Sequence, residues 1–271
     1  FQGVLSSCTS PDLGAVAIKE VVRRAGLQAN DIDEVIFGCV LPAGLKQGPA
    51  RQAMRQAGLP DSTGATTINK ICGSGMKALM QAADAVKAGS AEIVVAGGME
   101  SMTNSPYILD KARAGYRMGH GKVTDHMFQE GLEDAETGLS MGVLAQEMAN
   151  KKSYTREQQD EFAIRSLTRA QHAIEQGFFK DEINAVIVSS RKGDVTVDQD
   201  ENPFNAKIDK IPTLRPAFAK DGTITAANAS SISDGSSAFV VTSAEHAAAQ
   251  GLETLATIKA YATHSQHPSE F

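Results

Sequence analysis

The run Ala65-Thr66-Thr67-Ile68-Asn69-Lys70-Ile71-Cys72-Gly73-Ser74-Gly75-Met76-Lys77-Ala78 decides the fold class. Ala65 to Asn69 is rich in β-branched residues and reads as a strand. Lys70 to Gly73 is a turn, and Gly75 to Ala88 places apolar residues at helical spacing until Gly89 stops it. Ile93 to Ala96 then reads as a second buried strand. A strand, a helix and a strand joined by short turns make a βαβ crossover, which requires a parallel sheet.

Upstream the same rhythm holds. Ser10-Pro11-Asp12 offers an N-cap, a proline at the first helical position and an early acid. Leu13, Val16, Ala17, Val21 and Ala25 follow at helical spacing, and Gly26 ends that helix. Glu34 to Leu41 reads as a buried strand and Pro49 to Ala57 as a short helix bounded by Gly58 and Pro60. Strands and helices in alternation argue for an α/β domain.

Downstream, from Gly97 to about Phe204, Gly and Met runs, a charged stretch and a long helix replace that rhythm. The helix opens on Thr155-Arg156-Glu157-Gln158, a capping-box pattern. Ile183 to Ser189 and Val195 to Asp198 read as a hairpin across Arg191-Lys192-Gly193-Asp194. Ala238 to Thr242 is expected as a strand, Ala244 to Gln250 as a helix and Ala256 to Ala262 as another strand. The expected organisation is a core over 1–102, an inserted loop domain over 103–205, and a return to the core over 206–271.

Composition narrows the function classes. The chain has 271 residues, 42% hydrophobic and 21% charged, enough for one large domain or a domain with an insertion. Its formal charge is -6 and its Lys and Arg are scattered, so the footprint of a nucleic-acid binder is missing. No window approaches the roughly 20 apolar residues that span a bilayer, and no membrane partner is expected. Cys8, Cys39 and Cys72 show no Cys-x-x-Cys spacing, which argues against a disulfide framework or zinc site. A reducing, cytoplasmic compartment fits, with no metal and no cofactor. The first residue is Phe1 and the last stretch, His264 to Phe271, is polar, so both ends read as cuts.

Cys72 carries the chemistry. It lies where a strand gives way to a helix, and there unpaired N–H groups and the positive end of the macrodipole favour thiolate over thiol. Gly73 and Gly75 leave room for a carbonyl to approach backbone donors. Position alone leaves two readings open, a small apolar core residue or a nucleophile. Among His120, His126, His172, His246, His264 and His267 none sits in a motif, and none is taken as the base. Lys111, Arg113, Arg117 and Lys122 form the densest basic stretch, either a solvated loop or a contact for phosphates.

The run Asn69 to Ala78, followed by Ala96-Gly97-Gly98-Met99-Glu100-Ser101-Met102, resembles the thiolase family. That family's nucleophile segment looks like Asn-x-x-Cys-Gly-Ser-Gly at the head of a helix, and its next strand ends in Gly-Gly-Met-Glu-Ser-Met. Further similar stretches are Phe1-Gln2-Gly3, Lys192-Gly193-Asp194, Leu214-Arg215-Pro216-Ala217-Phe218 and Thr225-Ala226-Ala227-Asn228-Ala229-Ser230 before Asp234-Gly235. The resemblance implies a layered thiolase-like α/β fold, of which this is the N-terminal half. It implies reversible Claisen condensation or thiolysis, with two acetyl-CoA giving acetoacetyl-CoA and CoA, and Cys72 as the acylated residue. It places Ser230 beside the pantetheine arm of coenzyme A and Leu132, Met141 and Phe218 as apolar walls. Coenzyme A is substrate and product, other acyl-CoA esters are further partners, and a homo-oligomer, dimer or tetramer, is expected.

The family's Gly-His-Pro, Cys-x-Gly-Gly and Asn-Glu-Ala-Phe motifs do not occur here, nor does its opening strand with an Arg-Thr-Pro turn. By the resemblance this chain alone does not turn over, and its first sheet exposes an edge. Some biosynthetic members have a histidine where Ser140 precedes Met141, so the acceptor's length stays open. The rivals are a longer-chain 3-ketoacyl-CoA thiolase and a non-catalytic acyl-CoA-binding relative. A ketoacyl synthase is disfavoured by the large insertion and by Lys192-Gly193-Asp194.

Overall fold

The computed structural model describes residues 1–191 and 193–270. Its helices are α1 (Ser10–Arg24), α2 (Pro49–Gln56), α3 (Ser74–Ala88), α4 (Met141–Lys151), α5 (Arg156–Glu175), α6 (Asn202–Asn205) and α7 (Ala244–Gln250). Its strands are β1 (Glu34–Gly38), β2 (Gly64–Ile68), β3 (Ile93–Ser101), β4 (Tyr107–Ile108), β5 (Thr124–Asp125), β6 (Val186–Ser190), β7 (Gly193–Val197) and β8 (Asp234–Thr242). The chain divides into two compact units, one of residues 1–131 with 233–263, the other of Leu132–Ile232 with the final segment from His264. The loop domain expected over 103–205 overlaps the second unit without sharing its limits.

The first unit is built on a four-stranded sheet of order β2-β1-β3-β8. β1 runs parallel to β2 and β3, and β8 runs antiparallel to β3. Side chains alternate between the faces of a strand, and here both faces are covered. Val35, Phe37 and Cys39 of the β1 segment and Ile93, Val95 and Met99 of β3 pack with Ile18 and Val22 of α1 and Ala53 and Met54 of α2. Ile36, Val94, Ala96 and Val241 face the other way, against Ala78 and Ala82 of α3. The result is helix, sheet, helix. Near-continuous apolar strands are what a sheet covered on both sides demands.

The βαβ expectation holds within a residue at its turns, and several boundaries move for identifiable reasons. Thr9 rather than Ser10 caps α1: its hydroxyl accepts from the Asp12 N–H, while Asp12 Oδ2 accepts from the Thr9 N–H at 2.9 Å. β3 extends five residues past Ala96 because Gly97 to Ser101 pair in register with Asp234 to Ala238. β8 correspondingly begins at Asp234 rather than Ala238. The strand expected over Ala256 to Ala262 does not form. A strand needs a ladder partner, and that stretch pairs with none of the sheet's strands. Its apolar residues gain little burial there, Ile258 being 38% exposed.

The second unit holds α4, α5, the β6–β7 hairpin and α6. The capping box at α5 forms as its sequence requires, with Thr155 accepting from the Gln158 N–H and Gln158 from the Thr155 N–H. Polar side chains tie this unit together. Asp160 accepts from Arg156 Nε at 2.6 Å and from Asn228 Nδ2 at 2.9 Å. Gln146 Oε1 accepts the N–H groups of Thr223 and Ile224 at 2.8 and 2.9 Å. The hairpin pairs Val186–Ser190 with Gly193–Val197, and Lys192 of its turn lies outside the described residues.

Candidate active site

Two glycines let α3 land on the sheet. A Cβ at Gly38, the last residue of β1, would lie 2.6 Å from Ser74 Cβ and 2.8 Å from the Gly75 nitrogen. One at Gly97 would lie 2.0 Å from the Ser237 carbonyl oxygen. Without side chains at these points the first turn of α3 sits directly on β1, and β8 closes on β3. Gly73 is different: a Cβ there would meet only Lys70, at 3.4 Å or beyond, so packing within the chain does not require it.

The turn between β2 and α3 carries Cys72, which is exposed. Side chains fix its shape. Asn69 Oδ1 accepts the Ile71 N–H at 2.9 Å, and Asn69 Nδ2 donates to the Val40 carbonyl at 3.3 Å. Ser74 Oγ accepts the Lys70 N–H at 2.8 Å and donates to the Ile71 carbonyl at 2.6 Å. Ile71 is held at φ 48°, a left-handed conformation that a β-branched residue avoids. Such strain costs roughly 1–3 kcal/mol and persists only where surroundings over-determine it. The helix follows at once, with the Lys77 N–H bonded to the Gly73 carbonyl at 2.9 Å.

The three thiols differ sharply. Cys39 is buried, and its thiol is pushed up to about 12, first by burial and then by the charge of Glu100. Burial also raises Cys8. A thiol held protonated inside a core is inert, so Cys72 is the sulfur open to a reactant.

Glu100 and His126 are the residues that sequence reading missed. Glu100 stood inside a quoted motif without a role. Its carboxylate accepts the N–H groups of Val40 at 2.7 Å and Leu41 at 3.1 Å, with the Cys39 sulfur at 3.6 Å. Burial raises its pKa, and the bonds from the Val40 and Leu41 N–H groups and from the Cys39 thiol pull it part of the way back. His126 is 4% exposed, and both of its ring nitrogens lack a hydrogen-bond partner among the described residues. The one sequence sign of Glu100 was an acid in a buried-strand motif, and His126 gave none.

Leu132, Met141, Phe218 and Ser230 belong to the second unit. Three of them come together. Glu133 and Ser140 form an isolated antiparallel bridge, bringing Leu132 and Met141 near one another. The Phe218 ring lies on the first turn of α4, where a Cβ at Gly142 would be 2.2 Å from it. Ser230 is exposed in the loop before β8, and no contact brings it to those three. Lys111, Arg113, Arg117 and Lys122 are all exposed. No group of three potential metal ligands occurs among the described residues, and none of their helices is long and apolar enough to cross a membrane.

A sheet that presents one reachable cysteine on a strained strand-to-helix turn defines a class of cysteine acyl-transfer proteins. The family description "Thiolase, N-terminal domain" matches residues 1–245, and the chain belongs to the thiolase family. It is 47% identical to acetyl-CoA acetyltransferase of Pseudomonas aeruginosa over 271 residues, covering 99% of this chain and 69% of that protein. Against acetyl-CoA acetyltransferase of Escherichia coli the figures are again 47%, 99% and 69%. Among solved structures, the Bacillus anthracis acetyl-CoA acetyltransferase superposes with a TM-score of 0.90 at 40% identity, over 93% of this chain and 64% of that one. The Acat5 thiolase from Ascaris suum, in complex with coenzyme A, gives 0.87 at 40% identity, over 93% and 65%. The chain thus spans about two thirds of the length of these relatives.

Proposed function

We propose that this chain is the nucleophile-bearing portion of an acetyl-CoA acetyltransferase. The Cys72 sulfur attacks the thioester carbonyl of acetyl-CoA. A new carbon–sulfur bond forms, the bond to coenzyme A breaks, and the coenzyme A thiolate leaves and is protonated. The α-carbon of a second acetyl-CoA then loses a proton and bonds to the acetyl carbon as its bond to the Cys72 sulfur breaks, and the released thiolate takes up a proton, giving acetoacetyl-CoA and freeing Cys72. Acylating a cysteine divides one difficult transfer into two easier ones.

The observation that carries this reading is the exposed thiol on a turn fixed by Asn69 and Ser74, in a chain whose other two thiols are buried. The named relatives favour the short-chain branch over a longer-chain 3-ketoacyl-CoA thiolase and over a non-catalytic binder. We assign Leu132, Met141 and Phe218 to apolar walls around the pantetheine arm and Ser230 to a polar contact with it. The gathering of the first three at the head of α4 supports that assignment. Coenzyme A serves as substrate and product, with no further cofactor. The domain reading stays at 1–102 for the core, 103–205 for the inserted loop domain and 206–271 for the return, which β8 supports by pairing with β3. We also propose a cytoplasmic homo-oligomer, a setting consistent with three free thiols.

Intact mass after mixing with acetyl-CoA near pH 8 tests the central step. One acetyl adduct is expected on the wild type and none on Cys72→Ala. The chain joined to the remaining third of a matched relative should release acetoacetyl-CoA as well. An adduct that survives in Cys72→Ala, or no adduct even in the joined protein, would remove Cys72 as nucleophile.

A further inference from the structure

We propose that Glu100 is a positioning residue for Cys72, acting through Val40 and Asn69. The inference rests on the reading of Cys72 as nucleophile and adds a residue on a different strand to its machinery.

The connection runs through one peptide residue. Glu100 Oε2 accepts the N–H of Val40 at 2.7 Å, and Glu100 Oε1 accepts the N–H of Leu41 at 3.1 Å. The carbonyl of that same Val40 accepts from Asn69 Nδ2 at 3.3 Å, and Asn69 Oδ1 accepts from the Ile71 N–H at 2.9 Å. Ile71 is the left-handed residue immediately before Cys72. One carboxylate at the end of β3 is therefore linked to the strained turn by successive hydrogen bonds, all within the first unit. The segment just after β1 is the intermediate, clamped from both sides: its N–H groups are held by Glu100 and its carbonyl by Asn69.

Glu100 does more than cap two N–H groups. A carboxylate withdrawn from water is disfavoured, and here burial pushes the Glu100 carboxyl upward. Two backbone N–H donors offset part of that cost. The carboxylate meets each donor with a separate oxygen, Oε2 for Val40 and Oε1 for Leu41, whereas an amide in the same place would turn its own N–H toward one of them; the two oxygens fix Val40 and hence the acceptor available to Asn69. Ile71 in turn needs outside support to stay at its φ, and Asn69 supplies it. The titratable side chains facing Glu100 are the Cys39 thiol and the His126 imidazole.

The test measures Cys72 acetylation by p-nitrophenyl acetate, a small acyl donor that needs no coenzyme A pocket. The thiolate displaces p-nitrophenolate, whose absorbance gives the rate. Variants are Glu100→Gln, Asn69→Asp and the double. Asn69→Asp keeps the acceptor for Ile71 but sets an oxygen against the Val40 carbonyl. Each single variant is expected to slow acetylation about tenfold or more, since misplacing a reacting group by about 1 Å can cost on the order of a hundredfold. The double variant is expected to be no slower than the slower single, because both cut one path. Cys8 and Cys39 should stay unreactive throughout, which separates loss of position from loss of fold. If Glu100→Gln does not fold, Glu100→Asp, which keeps the charge but withdraws it by one methylene, replaces it in the cycle. Single variants within twofold of wild type, or rate losses that multiply in the double, overturn the proposal. Acetylation by p-nitrophenyl acetate without acetylation by acetyl-CoA would strike at the proposed function and leave the positioning role intact.

Discussion

The two units of this chain are held by opposite means. In the first, β1 and β3 lie between helices, and Val35, Phe37, Val94 and Val95 are fully buried. In the second, α5 runs for 20 residues and the one residue it buries is Asp160. Gln146 and Thr225 are buried in the same unit, and Phe162 of α5 is 64% exposed. The first unit rests on apolar volume, which is large and tolerant of direction. The second buries a smaller apolar set, Leu144, Ala149, Ile211 and Ile224 among them, and adds directed polar bonds, each modest in net worth but expensive to leave half-made. The unit with the larger apolar core carries the nucleophile, where position decides rate. The polar unit carries the residues assigned to the long, flexible arm of coenzyme A.

Three changes break or sharpen this contrast. The largest effect is expected from Phe37→Ala, which empties the centre of the first core and should lower unfolding free energy by about 3–5 kcal/mol. Denaturant midpoints measure it, and hydrogen exchange should show β1 and β3 losing protection together. Asp160→Ala is expected to remove roughly 1.5–3 kcal/mol, because it strands Arg156 and Asn228 without their shared acceptor. Exchange should quicken in α5 while β1 and β3 keep their protection; loss of protection across both units would erase the contrast. The smallest effect is at Glu20 on α1, whose carboxyl is lowered to about 2, first by its hydrogen bond to Arg23 and then by that to Arg24. A depressed carboxyl stabilises above its unfolded value near 4.5 and loses that contribution as pH falls toward 2. Glu20→Gln should flatten stability across that window by about 0.2–1 kcal/mol, the worth of an exposed pair.

What could be read from sequence followed locality. The βαβ unit and the α5 capping box were legible because their signals lie within a few residues of one another. The extent of β3 was not, since Gly97 and Gly98 look unlike strand residues until Ser237 is found where the Gly97 Cβ would stand. The strand expected over Ala256 to Ala262 failed for the converse reason: apolar composition is local, but a ladder partner is not. Cys72 stood out through its motif and its place at a helix head. Glu100 did not, because its bonds to Val40 and Leu41 cross about sixty positions of chain. His126 offered a lone histidine with no spacing to interpret, and its burial shows only in the folded chain.

The unequal exposure of the three sulfurs also decides how this protein ages. Peroxide meets Cys72 first, and the sulfenic acid it forms there finds Cys8 and Cys39 shut inside the fold. With both other thiols buried, the oxidised sulfur is left to capture by a thiol from another molecule, to condensation with a backbone nitrogen, or to further oxidation to the sulfinic acid. Capture by a second copy gives linked dimers that a reductant restores, whereas the sulfinic acid gives a permanently silenced chain. On a shelf without reductant, cysteine oxidation should therefore gather at Cys72 alone while the fold stays whole.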